Sequence, residues 1–333
     1  MSKITKPTLK WVGGKSKLKN LISDAAFLLK SKKNKSFDYY EPFFGGGSLY
    51  FHLKDLGFIS SAYLNDTIPQ LISYYETISG NENLEDFIRD CEKIETKFNN
   101  LLAQEERPIT EYKELVTEFN SLWVKEVDTS ESDGEINTSR SHIQITPEAV
   151  DIKIRSAVLM QCINKLCFNG MFRVNNKNLF NVPIGSYKKI KVIDKENLMN
   201  VSKYLSEASL TCNTYKESLK NIKDKDSFIY LDPPYIPNSN TANFTDYSSQ
   251  GFKQRDHIEL GEIFLKLVNS GNNVILSNNN NQLSRDIFLQ SSEVYGYEVF
   301  VSKSINSKKT GRGKTSELLV SSFNLDELGL SKV

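Results

Sequence analysis

Short apolar runs alternate with stretches of helical periodicity near both ends of the chain. Runs that favour buried strands lie at residues 37–43, 62–66, 209–213, 227–231, 273–277, 294–301 and 317–323. Helical periodicity lies at residues 48–54, 68–78, 215–222, 253–269 and 281–289. This order of elements is typical of a parallel sheet whose strands are joined by crossover helices.

The middle of the chain has a different pattern. Residues 83–99, 109–127 and 151–168 have helical periodicity, and residues 129–146 form a Ser-, Thr- and Glu-rich stretch that we predict to be a flexible loop. Residues 169–187 begin with Asn-Gly and predict an exposed, hairpin-rich element. We therefore predict a discontinuous α/β domain, residues 1–75 and 200–333, with a mostly helical insertion over residues 76–199 that carries a hairpin near 169–187.

Composition narrows the class of protein. The chain has 333 residues, of which 39% are hydrophobic and 25% charged, as in ordinary soluble proteins. No apolar run is long enough to span a bilayer, and the segment from Met1 to Lys6 shows neither the apolar core nor the cleavage site of a signal peptide, so we expect a cytoplasmic protein that does not bind membranes. The four cysteines show no C-x-x-C spacing, and with three histidines they predict no metal site.

Charge is unevenly distributed along the chain. Residues 81–150 hold 7 Lys and Arg against 17 Asp and Glu, a net charge of −10, so the other 263 residues carry 35 basic and 24 acidic side chains, a net charge of +11. A basic body of this kind can line a site for phosphates. A solvated acidic helix pair on an average protein explains the same numbers, so charge does not decide between them.

The strand predicted at residues 227–231 is followed by Asp232, Pro233, Pro234 and Tyr235. Two prolines cannot extend a sheet, so the chain turns outward here. Ligand crevices of doubly wound sheets lie at the carboxyl ends of strands. A carboxylate beside an aromatic ring suits a flat base that bears an exocyclic amine.

A glycine turn, Gly45-Gly46-Gly47, follows the first predicted strand, and Asp66 follows the second. The dinucleotide fingerprint fails because Tyr50 stands at its third glycine position, and the P-loop pattern fails because Leu9 stands at its first glycine position. An acid at the end of the second strand typically binds ribose hydroxyls. The pattern therefore suits adenosine with a small polar tail, as in S-adenosylmethionine. We further expect Lys15 to reach the carboxylate of that cofactor and Lys10 to reach DNA.

These segments together resemble the Dam-type, α-group family of DNA adenine-N6 methyltransferases. The resemblance rests on motifs that occur in the family's order: KWVGGK, EPFFGGGSLYF, LND, FNGMFRVNNKNLFNVPIGSYKK, YLDPPYIPNSNTANFTDY and RGKTSELLVSSF. It implies a Rossmann-like S-adenosylmethionine-dependent methyltransferase sheet with an inserted, mostly helical DNA target-recognition domain. It also implies methylation of a flipped-out adenine in double-stranded DNA, which family members with this hairpin usually modify within GATC.

The resemblance assigns roles to individual residues. The catalytic tetrapeptide that holds the adenine would be Asp232, Pro233, Pro234 and Tyr235. Contacts to S-adenosylmethionine would come from Trp11, Lys15, Glu41, Pro42, Phe43, Gly45, Gly46, Gly47, Asp66, Tyr215 and Asp232. Contacts to DNA would come from Lys10, Phe168, Asn169, Met171, Arg173, Asn175 and Pro183.

Three of the DNA contacts have specific implied tasks. Phe168 would fill the space that the flipped base leaves, Arg173 would read a guanine, and Pro183 would lie against a thymine methyl group. Met171 stands where the family usually has a smaller aliphatic residue, and residues 99–150 are longer and more acidic than in compact members.

Alternatives of two kinds stay open from the sequence. One is an amino-methyltransferase with another target, such as a different DNA site, cytosine N4, RNA or a protein glutamine; such enzymes commonly have Ser or Asn where Asp232 stands. The other is a catalytically silent DNA-binding relative. For the enzyme we expect a monomer or weak dimer in a bacterial or phage context, associated with the nucleoid and linked to a restriction endonuclease in function rather than by contact.

Overall fold

The computed structural model describes residues 4–11, 16–80, 82–128, 140–220, 222, 225–238, 252–302 and 314–333. Its helices are α1 Ser16–Lys33, α2 Ser48–Asp55, α3 Pro69–Ile78, α4 Leu84–Ala103, α5 Ile109–Trp123, α6 Val150–Leu166, α7 Lys195–Ser206, α8 Tyr215–Lys220, α9 Gln254–Asn269 and α10 Gln282–Phe288. Its strands are β1 Phe37–Glu41, β2 Ile59–Asn65, β3 Val124–Asp128, β4 Arg140–Gln144, β5 Ala208–Thr211, β6 Phe228–Leu231, β7 Asn273–Asn279, β8 Tyr295–Ser302, β9 Lys314–Ser321 and β10 Ser331–Lys332.

The chain divides into two compact units. Unit 1 comprises Met1–Gly13 and Ile68–Leu210, and unit 2 comprises Gly14–Thr67 and Thr211–Val333. Both borders expected from sequence, at 75/76 and at 199/200, fall inside unit 1, and the first 13 residues belong with the middle of the chain. Which task each unit performs stays a prediction.

All strands of the large sheet except β5 lie wholly in unit 2, and the strand order is β10-β8-β9-β7-β6-β1-β2-β5. The β1 strand pairs in parallel with β2 and β6, and β6 pairs in parallel with β7. The β9 strand pairs antiparallel with both β7 and β8. The predicted α/β, Rossmann-like sheet is thereby confirmed.

Apolar side chains cover both faces of the parallel strands. All four residues of β6 are buried, as expected for a central parallel strand. On one face, Ile229 and Leu231 pack in a cluster with Leu260 and Phe264 of α9. On the other face, the Tyr39 ring stacks on Tyr50 of α2 at a centroid distance of 6.3 Å. The parallel strands are therefore covered on both faces.

Unit 1 is organised around α6. This helix is buried on nearly every side from Ser156 to Leu166, the pattern of a central helix. Its polar residues are paired: Trp123 Nε1 donates to Ser156 Oγ at 2.7 Å, and Tyr74 Oη donates to Gln161 Oε1 at 2.6 Å. The buried helix therefore has its polar groups matched by its neighbours.

Several local predictions require correction. The helix predicted over residues 109–127 ends at Trp123, and Val124–Asp128 is a strand that pairs with Arg140–Gln144, part of the predicted flexible loop. Residues 129–139 of that loop lie outside the described residues. Helices Ser16–Lys33 and Lys195–Ser206 had no counterpart among the predicted elements. Strand pairing depends on a partner at a distance, which a local pattern does not show.

Candidate active site and nucleic-acid interface

Three acidic residues stand where parallel strands of unit 2 end. Glu41 is the last residue of β1, Asp66 follows β2, and Asp232 follows β6. Because these strands are adjacent and parallel, their carboxyl ends meet at one edge of the sheet. The structure therefore gathers residues that are widely separated in sequence.

The turn after β1 is tied to the end of β2. The Gly45 backbone N–H donates to Asp66 Oδ2 at 2.9 Å. Gly47 adopts a left-handed φ of +68°, and a Cβ atom there would lie 2.5 Å from the Phe44 ring. Only glycine fits this position without displacing the ring. The predicted Gly45–Gly47 turn is thus held close to the carboxylate of Asp66.

Asn65 joins three loops at this edge, although the sequence analysis assigned it no role. The side chain is buried, and its Nδ2 donates to the carbonyl oxygens of Pro42 and Asn213 at 3.1 and 2.9 Å. Its Oδ1 accepts from the Thr211 hydroxyl at 2.8 Å. Asn65 thereby fixes the glycine turn relative to the loop that leads into Tyr215.

Glu41, the last residue of β1, is buried, with only 4% of its surface exposed. The Tyr39 hydroxyl donates to its Oε2 atom at 2.9 Å. Burial raises the pKa of Glu41 well above its usual value of 4.5; the Tyr39 hydrogen bond lowers it, and the nearby charges of Asp232 and Asp66 raise it. The Glu41 carboxyl is therefore protonated at pH values where the carboxyl of an unfolded chain is ionised.

Substitution of Glu41 by glutamine is expected to stabilise the protein as pH rises. Above pH 4.5 the unfolded Glu41 loses its proton while the folded one keeps it, so the wild-type free energy of unfolding falls with increasing pH. Each pKa unit of this difference is worth about 1.4 kcal/mol. Denaturant unfolding from about pH 4 to 8 should show the free energy of unfolding of Glu41→Gln rising relative to that of the wild type as pH increases. Parallel pH curves for Glu41→Gln and the wild type would contradict the raised pKa.

Asp232 and its neighbours are held by side chains of β7. The Ser277 hydroxyl donates to Asp232 Oδ1 at 2.8 Å. Further along, the Ile236 N–H donates to Asn278 Oδ1 at 2.9 Å, and Asn279 Nδ2 donates to the Ile236 carbonyl oxygen at 2.6 Å. Three successive β7 residues thus fix both ends of the segment from Asp232 to Ile236.

Tyr235 lies within the segment held by β7 and is half-buried. Its hydroxyl donates to Glu317 Oε2 of β9 at 3.4 Å. Burial raises the pKa of Tyr235 well above its usual value, and the Asp232 charge raises it further. The phenol is therefore neutral, and its hydroxyl hydrogen-bonds Ser277 as well as Glu317. Of its proline neighbours, Pro233 is buried and Pro234 is exposed.

An aromatic group lies beside the glycine turn. The ring of Phe43 stacks on Tyr215 at a centroid distance of 5.5 Å, and Phe252 meets Phe43 edge-on at 5.8 Å. The Tyr215 hydroxyl donates to the Asp256 carbonyl oxygen at 3.1 Å, which fixes its ring. Tyr215 is buried, whereas Phe43 and Phe252 are half-buried and offer apolar faces to a flat ligand.

The residues predicted to bind DNA all belong to unit 1, and so does Trp11. The Trp11 ring stacks on Phe172 at a centroid distance of 5.5 Å. Asn164 of α6 binds both backbone groups of Lys10, the residue before Trp11. The Lys10 N–H donates to Asn164 Oδ1 at 2.8 Å. Asn164 Nδ2 donates to the carbonyl oxygens of Lys10 and Gly170 at 2.9 and 3.1 Å. Lys15, predicted to bind the cofactor, lies outside the described residues.

The hairpin predicted near residues 169–187 is reduced to a 3-10 turn, Phe168–Gly170, and two isolated bridges, Cys167 to Ile184 and Val174 to Phe180. Phe180 and Val182 face the interior of unit 1. The side chains of Phe168, Asn169, Arg173 and Pro183 are exposed, whereas Met171 and Asn175 are half-buried. One face of the segment therefore packs inward while the other presents the predicted contacts.

Two of these residues are oriented by local hydrogen bonds. Arg173 Nε donates to Asn181 Oδ1 at 3.0 Å, which sets the plane of the exposed guanidinium. Asn175 Oδ1 accepts from the N–H groups of Lys177 and Leu179 at 2.9 and 3.1 Å. Asn175 thus closes the turn at the tip of the segment with its side chain.

Sequence reasoning missed the residues that support the predicted ones. Ser277, Asn278 and Asn279 end β7, and a run of polar residues at the carboxyl end of an apolar strand was the available signal. Glu317, 3% exposed inside the apolar strand β9, was a second signal, because carboxylates are rarely buried without a task or a partner. Asn164 gave no signal within its helical pattern.

In the described part of the chain, no group of three or more His, Cys, Asp and Glu side chains could hold a metal ion. Among the same residues, no helix is long and apolar enough to cross a membrane.

The mixed α/β sheet, with its acidic residues at the strand ends, has the architecture of a Rossmann-like methyltransferase. Residues 11–302 match the family described as D12 class N6 adenine-specific DNA methyltransferase, so the chain belongs to that family. It is an adenine-specific DNA methyltransferase, and the family resemblance seen in the motifs is confirmed.

Named relatives agree with this assignment. The chain is 30% identical over 320 residues to the type II methyltransferase M1.LlaDCHI of Lactococcus lactis subsp. cremoris, covering 96% of this chain and 95% of that protein. It is 29% identical over 321 residues to the type II methyltransferase M.MjaIII of Methanocaldococcus jannaschii, covering 96% and 99%. It is 30% identical over 311 residues to the DNA adenine methylase of Salmonella typhi, covering 93% of each chain.

Proposed function

We propose that this enzyme transfers the methyl group of S-adenosylmethionine to N6 of an adenine that is flipped out of double-stranded DNA, within the sequence GATC. The observation that carries the proposal is Asp232 with Tyr235 at the carboxyl end of β6, beside the strands that end at Glu41 and Asp66. The family specifies adenine N6 in DNA as the methylated atom, so cytosine N4, RNA and protein targets are disfavoured.

Asp232 is the proposed acceptor for the amine. Adenine N6 is a poor nucleophile because its lone pair is delocalised into the ring. A carboxylate oxygen of Asp232 and the carbonyl oxygen of Pro233 would accept the two N6 hydrogens, which favours a tetrahedral nitrogen and stabilises the positive charge that develops there. Neither Pro233 nor Pro234 has an N–H that competes for these acceptors.

Tyr235 is proposed to hold the base by stacking. Its ring is anchored through the hydroxyl to Glu317. Stacking of a base on an aromatic side chain is worth about 1–3 kcal/mol, which offsets part of the cost of a few kcal/mol for flipping the base.

The proposed cofactor site is the edge formed by the Glu41–Gly47 segment, Asp66 and Tyr215. Its chemistry fits S-adenosylmethionine: Asp66 offers carboxylate oxygens to ribose hydroxyls, and the half-buried ring of Phe43, stacked on the buried ring of Tyr215, offers an apolar face to an adenine. When bound, the cofactor supplies an electrophilic methyl group on a sulfonium. Trp11 and Lys15 remain proposed contacts from the N-terminal motif.

Unit 1 is proposed to be the target-recognition domain. Its exposed Arg173, with the guanidinium plane set by Asn181, suits a bidentate contact to guanine O6 and N7. Exposed Phe168 suits the space that a flipped base leaves, and exposed Pro183 suits a thymine methyl group. Lys10, Asn169, Met171 and Asn175 complete the proposed contact set.

Replacing Arg173 by alanine is expected to relax specificity at one base pair. A bidentate arginine–guanine contact discriminates by about 1–3 kcal/mol, so the preference for guanine at that position should fall by roughly 10- to 100-fold. Methylation rates on duplexes that differ at single positions of GATC measure this. Lys177→Ala, at an exposed position of the same segment, is the control and should leave sequence preference unchanged. An equal rate loss on every duplex for Arg173→Ala would make it a phosphate contact instead.

Methylation of plasmid DNA tests the proposal as a whole. Plasmid without adenine methylation is incubated with the enzyme and S-adenosylmethionine, and the modified bases are mapped by single-molecule sequencing. We expect N6-methyladenine in GATC and at no other site. Marks on adenines elsewhere would overturn the specificity and leave the reaction intact, whereas absence of any marked adenine would overturn the reaction.

The proposal also covers the oligomeric state of the enzyme and its relation to a restriction endonuclease. We expect a monomer or weak dimer in sedimentation experiments. We expect any link to a restriction endonuclease to be functional, through protection of the shared sequence, without a stable complex.

A further inference from the structure

A buried chain of hydroxyl groups runs to the proposed catalytic carboxylate. Ser277 of β7 is 0% exposed, and its Oγ lies 2.8 Å from Asp232 Oδ1. The Tyr230 hydroxyl lies 3.0 Å from the same Oγ atom. The register of β6 and β7, in which Tyr230 pairs with Ile275 and Leu231 with Leu276, brings Ser277 beside Asp232.

The positions of the protons follow from valence. An ionised carboxylate only accepts hydrogen bonds, and a serine hydroxyl has one proton to donate. Ser277 therefore donates to Asp232, and the Tyr230 hydroxyl must donate to Ser277. Burial raises the pKa of Tyr230 well above its usual value, and the Asp232 charge raises it further, so Tyr230 keeps the proton that it donates. The Tyr235 hydroxyl hydrogen-bonds Ser277 as well. Donation from Tyr230 to Ser277 and from Ser277 to Asp232 satisfies the carboxylate with the one proton that Ser277 has.

We propose that Ser277 is a positioning residue for methyl transfer, and that Tyr230 fixes the direction of its hydroxyl. By holding Oδ1, the Ser277 hydroxyl sets the rotation of the Asp232 carboxylate and so the place of the oxygen that meets the N6 amine. This inference rests on the proposed function, in which Asp232 accepts from that amine. It adds a residue outside the tetrapeptide whose removal should slow the chemical step without weakening substrate binding.

The orientation of the Asp232 carboxylate affects the rate of methyl transfer as well as the stability of the fold. Reacting groups must be held within about 0.5 Å and 10–20° of their productive arrangement. The two prolines that follow Asp232 supply no N–H to orient its side chain. The hydrogen bond from Ser277 on the neighbouring strand therefore restrains the Asp232 side chain, a restraint that the proline nitrogens of the tetrapeptide cannot provide.

The test compares two buried serines. Ser321 of β9 is also 0% exposed and donates to the Phe323 carbonyl oxygen at 2.8 Å, away from Asp232. Ser277→Ala and Ser321→Ala should lose similar stability. Only Ser277→Ala should lose turnover: we expect kcat to fall about 10- to 100-fold, because a misplacement on the scale of an ångström costs up to about 100-fold. KM values for DNA and S-adenosylmethionine should stay near those of the wild type.

Two further variants keep the inference falsifiable if Ser277→Ala does not fold. Ser277→Cys keeps a weak donor of similar size and should retain kcat between those of Ser277→Ala and the wild type. Tyr230→Phe removes the donor to Ser277 and should lower kcat with KM unchanged. Wild-type kcat in these variants, or the same loss in Ser321→Ala, would overturn the role of Ser277. Failure of the proposed function is recognised separately, because the wild type would then methylate no adenine.

Discussion

Asp232→Ala is expected to abolish methyl transfer while DNA binding persists. Alanine offers no acceptor to the N6 amine, so the lone pair stays in the ring and the developing positive charge loses its counter-ion. Removing one preorganised group of this kind costs about 100- to 1,000-fold in other enzymes, and we expect a loss at or beyond the upper end because Asp232 would serve both purposes. Tritium transfer from labelled S-adenosylmethionine to plasmid DNA measures the loss.

A carboxylate at the other end of the same strand provides the control. Asp226 precedes β6 and forms an ion pair with Lys33 on the surface. Asp226→Asn should therefore leave turnover close to that of the wild type. Retained turnover in Asp232→Ala would refute the catalytic role of Asp232, and loss of DNA binding in that variant would show that Asp232 acts in binding instead.

Asn164→Ala is expected to damage both stability and sequence recognition. The substitution leaves three backbone groups without their side-chain partner: the N–H and carbonyl of Lys10 and the carbonyl of Gly170. An unsatisfied buried polar group costs about 1–3 kcal/mol, so a total near 3 kcal/mol is expected even if water reaches part of the site. Lys10 and the Phe168–Gly170 turn also lose their shared support, so we expect the preference for GATC to weaken.

The chain contains a matched control for this experiment. Asn197 forms the same two bonds with Lys6: Lys6 N–H donates to Asn197 Oδ1 at 2.8 Å, and Asn197 Nδ2 donates to the Lys6 carbonyl oxygen at 2.8 Å. That bracket is near solvent, so Asn197→Ala should cost only about 0.5–1.5 kcal/mol and leave the sequence preference unchanged. Equal losses of stability in the two variants, with specificity retained in both, would contradict the role of Asn164.

The elements near the ends of the chain could be predicted because their signals are local. The apolar run that becomes β6 and the carboxylate after it are adjacent in sequence, as are β1 and the glycine turn. The helices α1 and α7 carry local signals as well. Leu18, Ile22, Ala25 and Leu29 show the helical spacing of α1, and Asp194 caps α7 by accepting from the Asn197 N–H at 3.4 Å.

The β3–β4 hairpin could not be predicted in the same way. Val124–Asp128 continues a helical stretch in sequence, and its pairing with Arg140–Gln144 bridges residues 129–139. Nothing in either five-residue segment specifies the partner, because strand preference depends on what packs and pairs across from it.

By itself, the sequence determined the kind of sheet, the acids at its strand ends, the glycine turn and the family. Only the tertiary structure decided which side chains hold those groups in place. Ser277 reaches Asp232 across 45 positions of sequence, and Asn164 reaches Lys10 across 154. Strand register and the packing of α6 set these contacts. The residues that adjoin each partner along the chain do not indicate which distant residue it will contact.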